Sequence, residues 1–193
     1  NYAISKQEGT LTVTNREAKY EITVKANSAT ATYDGKEHEA VGVETYEFTV
    51  EGNSYTVSGL STEDPKQKDA GSYTNNITGT PVVTDKEGNV VTSEFEVKTE
   101  NGSLEIGKAA VTLKSATLSK KYDGNALVNG DTALEVESGF AEGEGATYNF
   151  TGSQTVVGSS ANAFSYELNS NTNIDNYAIS KQEGTLTVTN REA

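Results

Sequence analysis

The chain of 193 residues contains no cysteine, no methionine and a single histidine, His38, and its 15 basic side chains are outnumbered by 28 acidic ones. Without cysteine there are no disulfides, no CxxC redox chemistry, no thiolate metal sites and no Cys nucleophile. With one imidazole, a Ser-His-Asp triad could use only His38, and a zinc site would have to be built almost wholly from carboxylates. An enzyme is therefore not expected, and no catalytic, cofactor-binding or metal-ligating residue is assigned. The formal net charge of −13 argues against a nucleic acid or an anionic membrane as partner. No apolar run reaches the roughly 18 residues that would cross a bilayer, so no membrane insertion is expected. No basic-then-apolar start reads as a signal peptide. The sequence reads as an excised segment whose export signal and anchor, if any, lie elsewhere. With 34% hydrophobic residues the composition is polar but foldable, and the length permits one large domain or two of about 90 residues.

What the sequence does have is repetition. Residues 1–18, NYAISKQEGTLTVTNREA, recur unchanged at 176–193, an offset of 175 residues, which points to near-identical tandem units in a parent protein. A weaker repeat lies inside the unit. Tyr33-Asp34-Gly35 returns as Tyr122-Asp123-Gly124, and EFEVKTENGSLEI at 94–106 aligns with NYAISKQEGTLTV at 176–188, matching Phe95 to Tyr177, Gly102 to Gly184 and Leu104 to Leu186. These matches predict a terminal hairpin of a preceding unit over 1–18, module one over 19–107 and module two over 108–193. The joint Gly107-Lys108-Ala109-Ala110 is too short for a floppy linker.

Apolar residues alternate with polar ones nearly throughout, as in Tyr20, Ile22, Val24; Tyr46, Phe48, Val50; Phe164, Tyr166, Leu168; and Leu186, Val188. Period two places each set on one buried strand face. Turn signals such as Asp34-Gly35, Glu87-Gly88-Asn89, Asp123-Gly124 and Glu183-Gly184 close the runs. Only 61–71, STEDPKQKDAG, could host a helical turn. The fold expected is all-β: two small β-sandwich modules in tandem, elongated end to end. Tyr33 and Tyr122 should be buried, together with Phe48, Phe95, Phe150, Tyr166, Tyr177 and Leu186.

Lys121-Tyr122-Asp123-Gly124, Asn129-Gly130-Asp131, Gly158, Asn176-Tyr177-x-Ile179 and Gly184-Thr185-Leu186-x-Val188 resemble the YDG/MBG-type repeat modules of bacterial surface adhesins. The first half resembles them through Tyr33-Asp34-Gly35, Asp69-Ala70-Gly71-Ser72-Tyr73 and Gly102-Ser103-Leu104, with Glu94-Phe95 in place of Asn-Tyr and an inserted polar hairpin around 85–89. The resemblance implies Ig-like β-sandwiches repeated many times in a secreted protein attached to the cell wall or envelope.

Candidate sites favour bland readings. The Tyr-Asp-Gly motifs read as a strand end and a turn whose glycine takes positive φ. Asn169, Asn171, Asn173 and Asp175 have the alternate spacing of a calcium loop, but Ile174 and Ser180 stand where such a loop needs Gly and Glu, so an Asn-rich turn is expected. Glu63, Asp64 and Asp69, interleaved with Lys66 and Lys68, read as a solvated loop. Lys25 and Lys114 would be the donors of any Lys-Asn isopeptide bond of the kind found in Gram-positive shaft domains; both fall out of phase with their apolar neighbours and should face solvent.

The expected function is a structural spacer in a stalk that projects a ligand-binding tip from the bacterial surface, extracellular and attached to the cell or its wall. The alternative is a weak, multivalent glycan- or host-protein-binding repeat. The partners expected are neighbouring repeats of the same chain. Residues 1–18, left without a slot of their own, should find cover by lying on module one or by strand exchange with another chain.

Overall fold

The computed structural model describes residues 1–14 and 16–192; Asn15 and Ala193 lie outside it. The period-two pattern becomes strands almost everywhere, arranged in small two- and three-stranded sheets, and no α-helix occurs among the described residues. Two single 3-10 turns, Thr92–Glu94 and Ile174–Asn176, each lead directly into a strand. The stretch 61–71 holds no helical turn. Asp64 takes a positive φ of 53°, its carboxylate accepts the Gly42 N–H and the Thr62 hydroxyl, and Lys66–Gln67 pairs as a short strand with His38–Glu39.

Contacts gather the chain into two compact units: Asn1–Asn27, Val41–Asp64 and Thr74–Gly102; and Ser28–Ala40, Pro65–Tyr73 and Ser103–Ala193. These bounds cut across the expected modules 19–107 and 108–193, because 28–40, 65–73 and 103–107 join the second unit. The first unit closes around Ile22, Val24, Val57, Val83 and Phe95. Tyr20–Lys25 runs parallel to Phe95–Glu100, with Tyr20 opposite Phe95 and Ile22 opposite Val97. Asn53–Thr62 lies between Glu47–Val50 and Ile77–Asp85, both antiparallel to it. The second unit closes around Tyr33, Leu104, Ile106, Val111, Leu113, Phe164 and Tyr177, with Leu186 and Val188 also buried.

The internal repeat is visible in the pairing. Ala109–Lys114 runs parallel to Tyr177–Gln182, as Tyr20–Lys25 does to Phe95–Glu100. Leu118–Lys121 runs parallel to Thr185–Thr189, as Ala29–Thr32 does to Gly102–Gly107. The identical 18-residue segments are consequently not hairpins. Tyr177–Gln182 and Thr185–Thr189 belong to different sheets and do not pair with each other. The chain crosses between the sheets at Gly184, where a Cβ would lie 2.4 Å from the Ala116 carbonyl oxygen. Gly102 makes the same close approach at the equivalent place, 2.2 Å from the Asn27 oxygen. These two glycines supply space for a crossing backbone rather than a turn with positive φ. Residues 1–14, with the same sequence, form no strand and are exposed.

Candidate functional site

Tyr33, Asp34, Asp69, Asn176 and Tyr177, all singled out in the sequence, lie in the second unit. Strand Ala29–Thr32 delivers Tyr33, whose N–H donates to the Gly107 carbonyl at 2.8 Å. The turn follows directly: Asp34 accepts the Lys36 N–H and meets His38 Nε2, both at 2.9 Å, and Gly35 takes φ 77°. These contacts hold the Asp34 carboxyl below its ordinary value, the Lys36 N–H contributing most and His38 next.

The ring of Tyr33 turns inward and meets Tyr177 edge to face at 5.3 Å, a favourable aromatic geometry. Both phenols donate to one carboxylate: Tyr33 to Glu144 Oε1 and Tyr177 to Glu144 Oε2, each at 2.6 Å. Phe140 packs edge to face on Tyr177 at 5.3 Å, and the Ala141 N–H donates to the Tyr177 hydroxyl. Burial, reinforced by the Glu144 bond, pushes both phenols up, Tyr177 to about 12. Beside them Asn176 donates to Asp69 Oδ1 at 2.9 Å and accepts the Ala70 N–H at 2.8 Å. Asp69 engages Asn176 from a loop position that is exposed, as expected. Tyr33, Glu144 and Tyr177 make one hydrogen-bonded group over an aromatic floor, and Asn176 with Asp69 and Ala70 makes a second one beside it. The side chains of both groups thus find their polar partners within the fold.

The second Tyr-Asp-Gly repeats the backbone and not the burial. The Tyr122 N–H donates to the Thr189 carbonyl at 2.9 Å, Asp123 accepts the Asn125 N–H, and Gly124 takes φ 84°. Yet Tyr122 is 42% exposed where Tyr33 is 4%. The expectation that both are core residues fails for Tyr122, because the motif fixes the turn and a separate set of residues must supply the cover. The other expected core positions divide: Phe95, Tyr177 and Leu186 are buried, while Phe48, Phe150 and Tyr166 are half-buried.

In the first unit an open cleft of about 350 Å³ lies over Tyr20, Tyr55 and Phe95, flanked by Thr14, Arg16 and Glu94. Phe95 contacts Tyr55 at 4.8 Å and Tyr20 at 5.7 Å between ring centroids. Arg16 lies over the Tyr20 ring at 4.0 Å and its backbone N–H donates to Glu94.

The remaining candidates are structural in their contacts. Asn173 accepts the Asp175 N–H as the cap of the 3-10 turn, and Asn171 donates to the Gly143 carbonyl. Among the described residues no group of three or more His, Cys, Asp and Glu side chains is placed to hold a metal. Lys25 and Lys114 are partly exposed and pair with Glu100 and Glu135. Two buried asparagines escaped the reading of the sequence: Asn75 donates to the Asn27 carbonyl, and Asn162 donates to the Ala116 carbonyl. Each ties down the backbone crossed by Gly102 or Gly184. Both stand in polar surroundings, Thr74-Asn75-Asn76 and Ser159-Ser160-Ala161-Asn162, so nothing local marked them as buried. No family model, curated protein or solved structure matches the chain.

Proposed function

We propose that the chain is a structural spacer, a stalk repeat of a bacterial cell-surface adhesin that holds a ligand-binding tip away from the cell. The observation that carries this reading is the sequence identity of 1–18 with 176–193, where 177–189 forms strands in two sheets of the second unit. Near-identical units repeat the same fold and the same junction along an array, so neighbour contacts add from unit to unit. Two further features support it. Only Lys108 separates Gly102–Gly107 from Ala109–Lys114, and the charge of −13 keeps neighbouring stalks soluble and mutually repelling. The partners of such a unit are its neighbouring repeats.

The test is small-angle scattering on chains of one, two and four consecutive 175-residue units. A stalk gives a maximum dimension that rises linearly with unit number. Growth near the square root expected of flexible linkage overturns the reading. The exposed Tyr122 favours the rival, a weak multivalent glycan- or host-protein-binding repeat, and specific binding on a glycan array would promote it.

A further inference from the structure

The same sequence occurs twice in the chain in opposite states. Tyr2 is 98% exposed where Tyr177 is 2%; Leu11 is fully exposed where Leu186 is fully buried; Val13 is fully exposed where Val188 is 1%. The acceptor for such a segment is therefore defined. It is the slot bordered by Ala109–Lys114, Leu118–Lys121 and Gly158–Ala161, in which 177–189 takes the registers Ala109 to Tyr177, Leu118 to Leu186 and, antiparallel, Gly158 to Val188.

A second disparity meets the first at one place. Tyr122 has the backbone of Tyr33 without its cover, and the first unit has an open aromatic cleft. The Tyr122 N–H is bonded to the Thr189 carbonyl. The counterpart of Thr189 in the N-terminal copy is Thr14, and Thr14 lines the cleft. A body whose last strand came from residues 10–14 would hold its Tyr122 against Thr14, at that cleft. There the ring would meet Phe95, the residue that aligns with Tyr177, reproducing the contact of Tyr33 with Tyr177. Glu94, at the cleft edge, offers a carboxylate as Glu144 does to Tyr33.

We propose that residues 1–14 and the cleft over Tyr20, Tyr55 and Phe95 form one docking site for the second unit of another repeat of this sequence, which a second copy of this chain supplies. The segment closes the two sheets of that copy's second unit in place of its own 177–189, and that copy's Tyr122 fills the cleft. An identical segment packs in the same way whichever chain supplies it, so exchange is cheap, and the interface is heterologous, so it propagates from copy to copy. The attached 177–189 competes at an effective concentration on the order of millimolar, so the docking is seen most clearly when that copy is disabled. The inference stands apart from the stalk reading.

The variant Leu186→Asp disables the attached copy and leaves residues 1–14 intact. It should form concentration-dependent oligomers in size-exclusion chromatography with light scattering. The double variant Leu11→Asp/Leu186→Asp should not. Leu11→Asp alone should leave the monomer and its Tm unchanged. Because the chain has no cysteine, Tyr122→Cys and Glu94→Cys added to Leu186→Asp report the second contact: a ladder of disulfide-linked oligomers under air oxidation, abolished by Leu11→Asp. A synthetic peptide of residues 1–18 should restore the Tm of the double variant, and the same peptide with Leu11→Asp should not. A monomeric Leu186→Asp chain, oligomers that persist with Leu11→Asp, or a peptide without effect overturns the strand closure. Oligomers without the ladder overturn the seat of Tyr122.

Discussion

Tyr33 and Tyr122 share a tripeptide, a strand-end hydrogen bond and a turn, and differ in what lies above the ring. Replacing Tyr33 by alanine removes the contacts with Tyr177 and the bond to Glu144, which should destabilise the second unit by about 3–5 kcal/mol. Tyr122→Ala should stay within about 1 kcal/mol in the monomer. Equilibrium urea unfolding of the two variants measures the contrast. Tyr33→Phe keeps the ring and loses a bond to a carboxylate, a loss of about 1–2 kcal/mol. It should also change the alkaline limb. The native phenols of Tyr33 and Tyr177 hold their protons above the ordinary value of 10.0. Their contribution is complete below pH 10 and is lost as pH rises through the folded values, because the unfolded chain gives up its protons first. Tm should therefore fall more steeply above pH 10 in the parent chain than in Tyr33→Phe. An equal slope in both would remove the linkage assigned to this pair.

At the scale of elements, the strands were legible because period-two alternation survives in nearly every sheet, as in Tyr20, Ile22 and Val24 on one face. The turns were legible where Asp-Gly marks them. What escaped was which strands pair. Glu183-Gly184 has the sequence of a hairpin turn, and the choice between turning back and crossing to another sheet is made by Ala116 and Ser115, nearly 70 positions away in sequence. The hydrogen-bonded groups around Glu144 and Asn176 were half legible: Tyr33, Asp69, Asn176 and Tyr177 were named from motifs, but Glu144 sits in a Gly- and Glu-rich stretch with no local signal. The two copies of the 18-residue segment offer a matched test of context within one chain. Leu186→Ala should cost about 3–5 kcal/mol, and Leu11→Ala nothing measurable. Gly184→Ala would drive a Cβ into the Ala116 carbonyl, whereas Gly9 has nothing within 4 Å. The first should unfold the second unit at a Tm many degrees lower, and the second should leave Tm in place. Equal effects at the paired positions would mean that the N-terminal copy is buried in solution.

For the molecule as a whole, a charge of −13 sets two electrostatic effects against each other. Long-range repulsion among carboxylates destabilises the compact state and is screened by salt. Local ion pairs such as Lys98 with Glu21 and Lys121 with Glu192 stabilise it and are screened as well, but they are largely exposed, and exposed pairs contribute little. Repulsion should prevail, so Tm at pH 7 should rise between about 20 mM and about 0.5 M NaCl, where the screening length shrinks severalfold. Acidification separates the terms further. As pH falls from 7 toward the pI near 4.5, the net charge vanishes and the repulsion with it. The hydrogen-bonded carboxyls of Asp34, Asp64, Asp85 and Asp123 are held below their ordinary value of 3.8. Groups with depressed values stabilise the fold above the unfolded value and cease to do so as pH falls through the folded one. Their contribution is therefore intact at pH 5 and lost only below about pH 4. Calorimetry at low salt should find Tm at pH 5 at or above that at pH 7, with a decline below pH 4, and added salt should close the gap between the two. A Tm at pH 7 that falls on adding salt would show that the local pairs, not the net charge, govern the stability of this chain.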